Sequence, residues 1–131
     1  MLLGKSNMKI IHWEYNPEFD QLQNIGQPKL AAGVTRNRET NNPTGVYFRW
    51  TYILQNDTNI YLHCVAEDSY KINDFQDFSM FDLKLLLSKS FENFKVVFLE
   101  RLDIIGVQVS APTFQINDSM LQPLLQELKK D

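Results

Sequence analysis

A chain of 131 residues with 44% hydrophobic and 22% charged content has room for one packed core and is too ordinary in make-up for a disordered or membrane-embedded class. Its formal net charge of -3 argues against a nucleic-acid-binding surface as the main function, because phosphate binding needs clustered Lys and Arg. Cys64 is the only cysteine, so neither a disulfide framework nor an all-cysteine metal site can be built within the chain, and a reducing compartment fits.

The opening MLLGKSN lacks an apolar run of the length a secretory signal needs, and no window approaches about 18 apolar residues. A cytoplasmic protein without membrane insertion is expected, as one domain over 1–131, with the order of residues 1–7 left open. Residues 8–19, MKIIHWEYNPEF, alternate: Ile11, Trp13 and Tyr15 fall on one face, Ile10, His12 and Glu14 on the other. That is the period of a half-buried strand, ended or bent by Pro17. From Asp20 to Gly45 the chain is polar and broken by glycine and proline. A structureless loop of that length is unusual in a compact domain, so a strand is expected within it, around 28–37, PKLAAGVTRN, with NNPTG as the following turn.

VYFRWTYIL, 46–54, is the strongest strand signal, rich in aromatic and β-branched residues. Val46, Phe48, Trp50, Tyr52 and Leu54 share one face; Tyr47, Arg49, Thr51 and Ile53 share the other. QNDTN has the composition of a hairpin turn, and residues 59–72 return as the partner strand. There Ile60, Leu62, Cys64 and Ala66 match the apolar face, and Tyr61, His63 and Val65 the mixed one. A long helix is predicted from Ser79, which with Asp82 has capping-box spacing, to Leu102, about 35 Å. Met80, Leu83, Leu86, Leu87, Phe91, Phe94, Val97, Phe98 and Leu102 form a broad arc suited to cover a sheet. Phe81, Leu85, Val96 and Leu99 form a second stripe nearly opposite, which we expect to meet a partner chain. Residues 103–116 read as a short strand and a connection broken at Gly106 and stiffened by Pro112. NDSMLQPLLQELKKD reads as a closing helix capped by Asp118 or Ser119, with Pro123 in its first turn.

Chemistry-bearing patterns are sparse. His12 and His63 lie on different predicted strands. A metal site would require those strands to pair in register and a carboxylate such as Glu14 or Glu67 to join. Ordinary strand histidines are the favoured reading, and neither a metal nor a cofactor is expected. His63 and Cys64 are adjacent on a strand and point to opposite faces, which excludes a dyad between them. The acidic pairs Glu67/Asp68 and Asp74/Asp77 are of a kind that occurs by chance on most surfaces, and phosphate-cradling glycine loops and a nucleophile elbow are absent from the sequence. Most aromatic residues are assigned to the core, but Tyr47, Ile53, Tyr61 and Val65 lie on the mixed face and form a candidate peptide- or partner-binding surface.

The element order, with PKLAAGVTRN before NNPTGVYFRWTYIL and then GVQVSAPTFQINDSMLQPLLQEL, resembles the SecB-type export chaperones over about residues 8–128. This resemblance implies an α+β fold, with a four-stranded antiparallel sheet, one long helix packed on a face and a short C-terminal helix. It also implies a dimer or tetramer, no catalysis, and hydrophobic grooves for unfolded or extended polypeptide. The leading expectation is therefore a non-enzymatic, chaperone-like polypeptide-binding protein. Two alternatives stand beside it: a pocket protein of cystatin-like or nuclear-transport-factor-like style, its cavity lined by Trp13, Trp50 and Tyr52, and an immunity or accessory protein for one specific partner.

Overall fold

The computed structural model describes residues 8–17, 27–36, 45–56, 59–72, 74–107, 109 and 111–130. Residues 1–7 and most of the predicted turn at 41–45 lie outside them. Four strands, β1 (Lys9–Tyr15), β2 (Lys29–Arg36), β3 (Gly45–Gln55) and β4 (Ile60–Lys71), precede a long helix α1 (Met80–Ile105) and a short helix α2 (Asp118–Lys129). The strands form one antiparallel sheet in the order β1-β4-β3-β2, a Greek-key arrangement in which the first strand returns beside the fourth. The expected α+β architecture is thus present, with both helices on one face of the sheet.

The period-two pattern decides which face they cover. Val46, Phe48, Trp50, Tyr52 and Leu54 of β3 and Leu62, Cys64 and Ala66 of β4 are buried beneath α1. From α1 the buried set is Leu83, Leu86, Leu87, Ser90, Phe94, Phe98 and Leu102. Ser79 caps this helix: its hydroxyl accepts from the Asp82 N–H, and the Asp82 carboxylate accepts from the Ser79 N–H at 2.9 Å. Helix α2 closes the open end of the core through Leu121 and Leu128. It is held there by Arg36, which donates from Nη1 to the Leu128 carbonyl at 3.1 Å and stacks its guanidinium over Phe75.

Several expectations are corrected. Helix α1 runs to Ile105, so residues 103–105 are not strand, and the described residues from 107 to 117 form an irregular crossing. The stop is Gly106 in the left-handed conformation (φ 73°), with its N–H bonded to Asp103 O and the Val107 N–H to Leu102 O, a Schellman closure that no β-branched residue would accept. The cap of α2 is Asn117, whose side chain accepts from the Met120 N–H, rather than Asp118 or Ser119. Pro123 consequently falls in the second turn, at an exposed position.

Two bulges alter the strand faces. Ile10 pairs with Ala66 and His12 with Val65, so Ile11 is an extra residue, and Ile10, not Ile11, joins Trp13 and Tyr15 against the core. At the other bulge Gln55 pairs with Ile60 and Leu54 with Leu62, leaving Tyr61 as the extra residue. Tyr61 belongs to the core, 6% exposed and edge-on to Tyr15 at 5.6 Å.

Candidate functional site

Among the described residues, no helix covers the second face of the sheet. Register places Glu14, His63, Ile53 and Lys29 in one row across it, then His12, Val65, Thr51 and Ala31, then Lys9, Glu67, Arg49 and Gly33. Arg49 donates from Nε to Glu67 Oε2 at 2.7 Å, and its Nη2 lies equally close to that oxygen. This ion pair divides the proposed surface. Ile53 and Val65 are diagonal neighbours on one side; Tyr47, opposite Ser69, lies on the other, in a shallow hollow of about 250 Å³ shared with Ile11 and Glu67. Tyr61, buried, is not part of either, so the four candidate residues do not form one patch.

The second stripe of α1 is exposed at Phe81 (71%), Leu85 (39%) and Val96 (53%), but Leu99 is half-buried and packs against the core. The reason is geometric. The buried face follows the row Leu86, Ser90, Phe94, Phe98 and Leu102, and a row of fourth residues drifts about 40° around the axis per step. By Leu102 the core side has turned toward Leu99. The stripe gains Ile104 instead, 80% exposed, a residue that the sequence pattern places in a strand.

A cleft of about 530 Å³ opens where the start of β2 faces the crossing between the helices. Gln27, Pro28, Leu30, Tyr52 and residues 111–115 line it. The Tyr52 hydroxyl is buried without a hydrogen-bond partner among the described residues, and burial pushes its pKa upward. A buried, unpaired hydroxyl costs about 1–3 kcal/mol. Tyr52→Phe should therefore raise the stability of the free protein by about 1 kcal/mol in urea denaturation, since it removes an unmet polar group at nearly constant volume. Neither Trp13 nor Trp50 reaches the cleft. Trp50 is enclosed by the rings of Phe91, Phe94 and Phe114, at 5.5, 6.0 and 5.0 Å, and Trp13 packs on Phe98 beneath the Arg101 guanidinium.

Cys64 faces the core, opposite Trp13 and Tyr52, and burial raises its thiol pKa to about 12. It is therefore an inert thiol at neutral pH. His12 and His63 lie on the opposite face, so neither forms a dyad with it. Asp68, acidic and buried, is tied into the core by a hydroxyl: Trp50 Nε1 donates to Ser90 Oγ at 2.8 Å, and Ser90 Oγ donates to Asp68 Oδ1 at 2.6 Å. Sequence reading missed this triad. Its only local signal was a serine inside the apolar arc of α1. No helix among the described residues is long and apolar enough to cross a membrane. Comparison of the chain with models of known families, with curated proteins and with solved structures finds no match.

Proposed function

We propose that this is a non-enzymatic, self-associating protein that binds extended polypeptide, chaperone-like in the SecB manner. The observation that carries the reading is the cleft beside β2. Among the described residues β2 pairs only with β3, so one edge of it offers backbone N–H and C=O groups to an added strand. Immediately beside its first residues, Pro28, Leu30, Pro112 and Phe114 form the apolar part of a trough that Gln27, Thr113 and Gln115 line with polar groups. A strand edge with a side-chain pocket next to it is the arrangement by which proteins add a peptide strand: the backbone supplies affinity and the pocket selects alternate side chains. Exposed Phe81, Leu85 and Val96 supply the surface for a second copy of the chain.

Fluorescence anisotropy with a labelled peptide of alternating apolar and polar residues, together with light scattering of a chemically denatured client, tests the reading. Saturable binding and suppressed aggregation are expected. Thr113→Glu, an exposed change on the cleft rim, should weaken peptide binding by about tenfold or more through its desolvated charge. Phe81→Glu with Val96→Glu should lower the mass in static light scattering while leaving the stability of the separated chain within about 0.5 kcal/mol, as for exposed sites. A wild-type monomer that neither binds the peptide nor protects the client would sink the proposal.

A further inference from the structure

The condition for a two-histidine metal site set by the strand pattern is met in the fold. β1 and β4 pair antiparallel with Glu14 opposite His63 and His12 opposite Val65, so His12 and His63 are diagonal neighbours on the open face. The bulge at Ile11 makes this possible. Uninterrupted alternation from Ile10, which faces the core opposite Ala66, would carry His12 and Glu14 to the core side; the extra residue returns both to the face of His63. Ligand atoms of His12, Glu14 and His63 all lie within 4.8 Å of one another. The imidazole rings meet edge to face with centroids 4.7 Å apart, and His12 Nε2 is 3.7 Å from Glu14 Oε1.

The carboxylate is also positioned from behind. Asn16 donates from Nδ2 to Glu14 Oε2 at 3.0 Å and to the Ile60 carbonyl at 2.8 Å, while its backbone N–H bonds to Tyr61 O at 3.0 Å. One oxygen of Glu14 is thus held by a residue anchored to β4, and the other faces the histidines. Outer hydrogen bonds of this kind fix the orientation of metal-binding carboxylates and tune affinity. We propose that His12, His63 and Glu14 form a divalent cation site for Zn2+, with Asn16 as its positioning residue. Two imidazoles and one carboxylate suit a borderline cation, whereas Ca2+ and Mg2+ take oxygen-rich sets. Four-coordinate Zn2+ draws its donors to roughly 3.4 Å apart at bond lengths of about 2.1 Å, a contraction within reach of side-chain rotation at these half-exposed positions. Because β1 is an edge strand, the fourth position opens to water, and the bound ion ties β1 to β4.

Equilibrium dialysis of the untagged full chain against ZnCl2 tests the site. One ion per chain should bind more tightly than about 100 μM and resist competition by millimolar Mg2+. The chain has two histidines, so both sets of imidazole proton resonances should move together on saturation. His12→Ala, His63→Ala and Glu14→Gln should each weaken binding about 100-fold or more, and Asn16→Ala about tenfold. The exposed face lets the His12 and Glu14 variants keep their metal-free unfolding midpoint, so a loss of binding there is not a loss of fold. Absence of saturable binding, or binding that survives both His12→Ala and Glu14→Gln, would overturn the proposal. Neither result bears on peptide binding at the β2 cleft.

Discussion

Replacing Phe98 with alanine should destabilise the protein by about 3–5 kcal/mol, the range for a fully buried aromatic cut back to a methyl group in a core that relaxes only in part. Phe98 is wholly buried. It is the junction of the aromatic layer between helix and sheet: Tyr52 of β3 lies 4.5 Å away, Phe94 of α1 stacks on it at 5.4 Å, and Trp13 of β1 lies at 6.1 Å. Three elements therefore lose a partner at once. For a domain of this size the midpoint of thermal unfolding should fall by roughly 10–20 °C. Val97→Ala, one residue earlier and only half-buried, should cost much less. Calorimetry on the two variants checks the contrast, and similar losses at both positions would mean that α1 packs on the sheet along a different stripe.

The strand pair β3 and β4 was legible because its signal is strong and its period is undisturbed. Every second residue from Val46 to Leu54 is apolar, and each of them is buried. Helix α1 was legible for the same reason, down to the Ser79 and Asp82 box. In the strands, the pattern misleads where a single extra residue breaks the period. Nothing local distinguishes Ile11 from Ile10 as the one expelled by a bulge, or marks Tyr61 as the one drawn inward. Both outcomes depend on which residue of the neighbouring strand comes opposite, which is a property of the sheet and not of either strand alone. Ile104 and Ile105 read as strand because β-branched residues follow a helix pattern there. A glycine able to take positive φ came one residue later, and the helix continued to it.

The candidate sites divide along the same line. Phe81, Leu85 and Val96 depended only on helical geometry and are exposed as expected, while Leu99 was misplaced because the buried row drifts around the helix. The His12, Glu14 and His63 group required pairing between strands more than 40 residues apart in sequence, by the numbering alone. The cleft at Tyr52 required two segments, 27–30 and 111–115, whose proximity no periodicity could supply.

Ser90→Ala is expected to cost about 3 kcal/mol, far more than an ordinary helical serine, because one oxygen serves two buried partners on two strands. The serine accepts from Trp50 Nε1 on β3 and donates to Asp68 on β4, inside a part of α1 that is otherwise apolar. Alanine leaves the indole N–H without its acceptor, a loss of about 1–3 kcal/mol, and removes from the carboxylate a hydrogen bond of the stronger, charge-assisted kind. The gain in helix propensity, at most about 0.7 kcal/mol, is too small to offset this. Asp68→Asn distinguishes the polar geometry from the charge: its amide oxygen can still accept from Ser90, so it should cost less than Ser90→Ala. Chemical denaturation of the two variants gives the comparison. If Ser90→Ala proved neutral, the triad would have to be solvated rather than buried; if Asp68→Asn proved the more costly, the carboxylate charge and not the serine bridge would hold β4 to the helix. The bridge runs from β3 through α1 to β4, and Asn93 of α1 adds a second polar link to β4 by donating from Nδ2 to the Tyr70 hydroxyl at 3.0 Å. Apolar rings alone would let α1 slide along the sheet in steps of one turn, and directional bonds from Ser90 at the centre and from Asn93 beside it oppose that freedom.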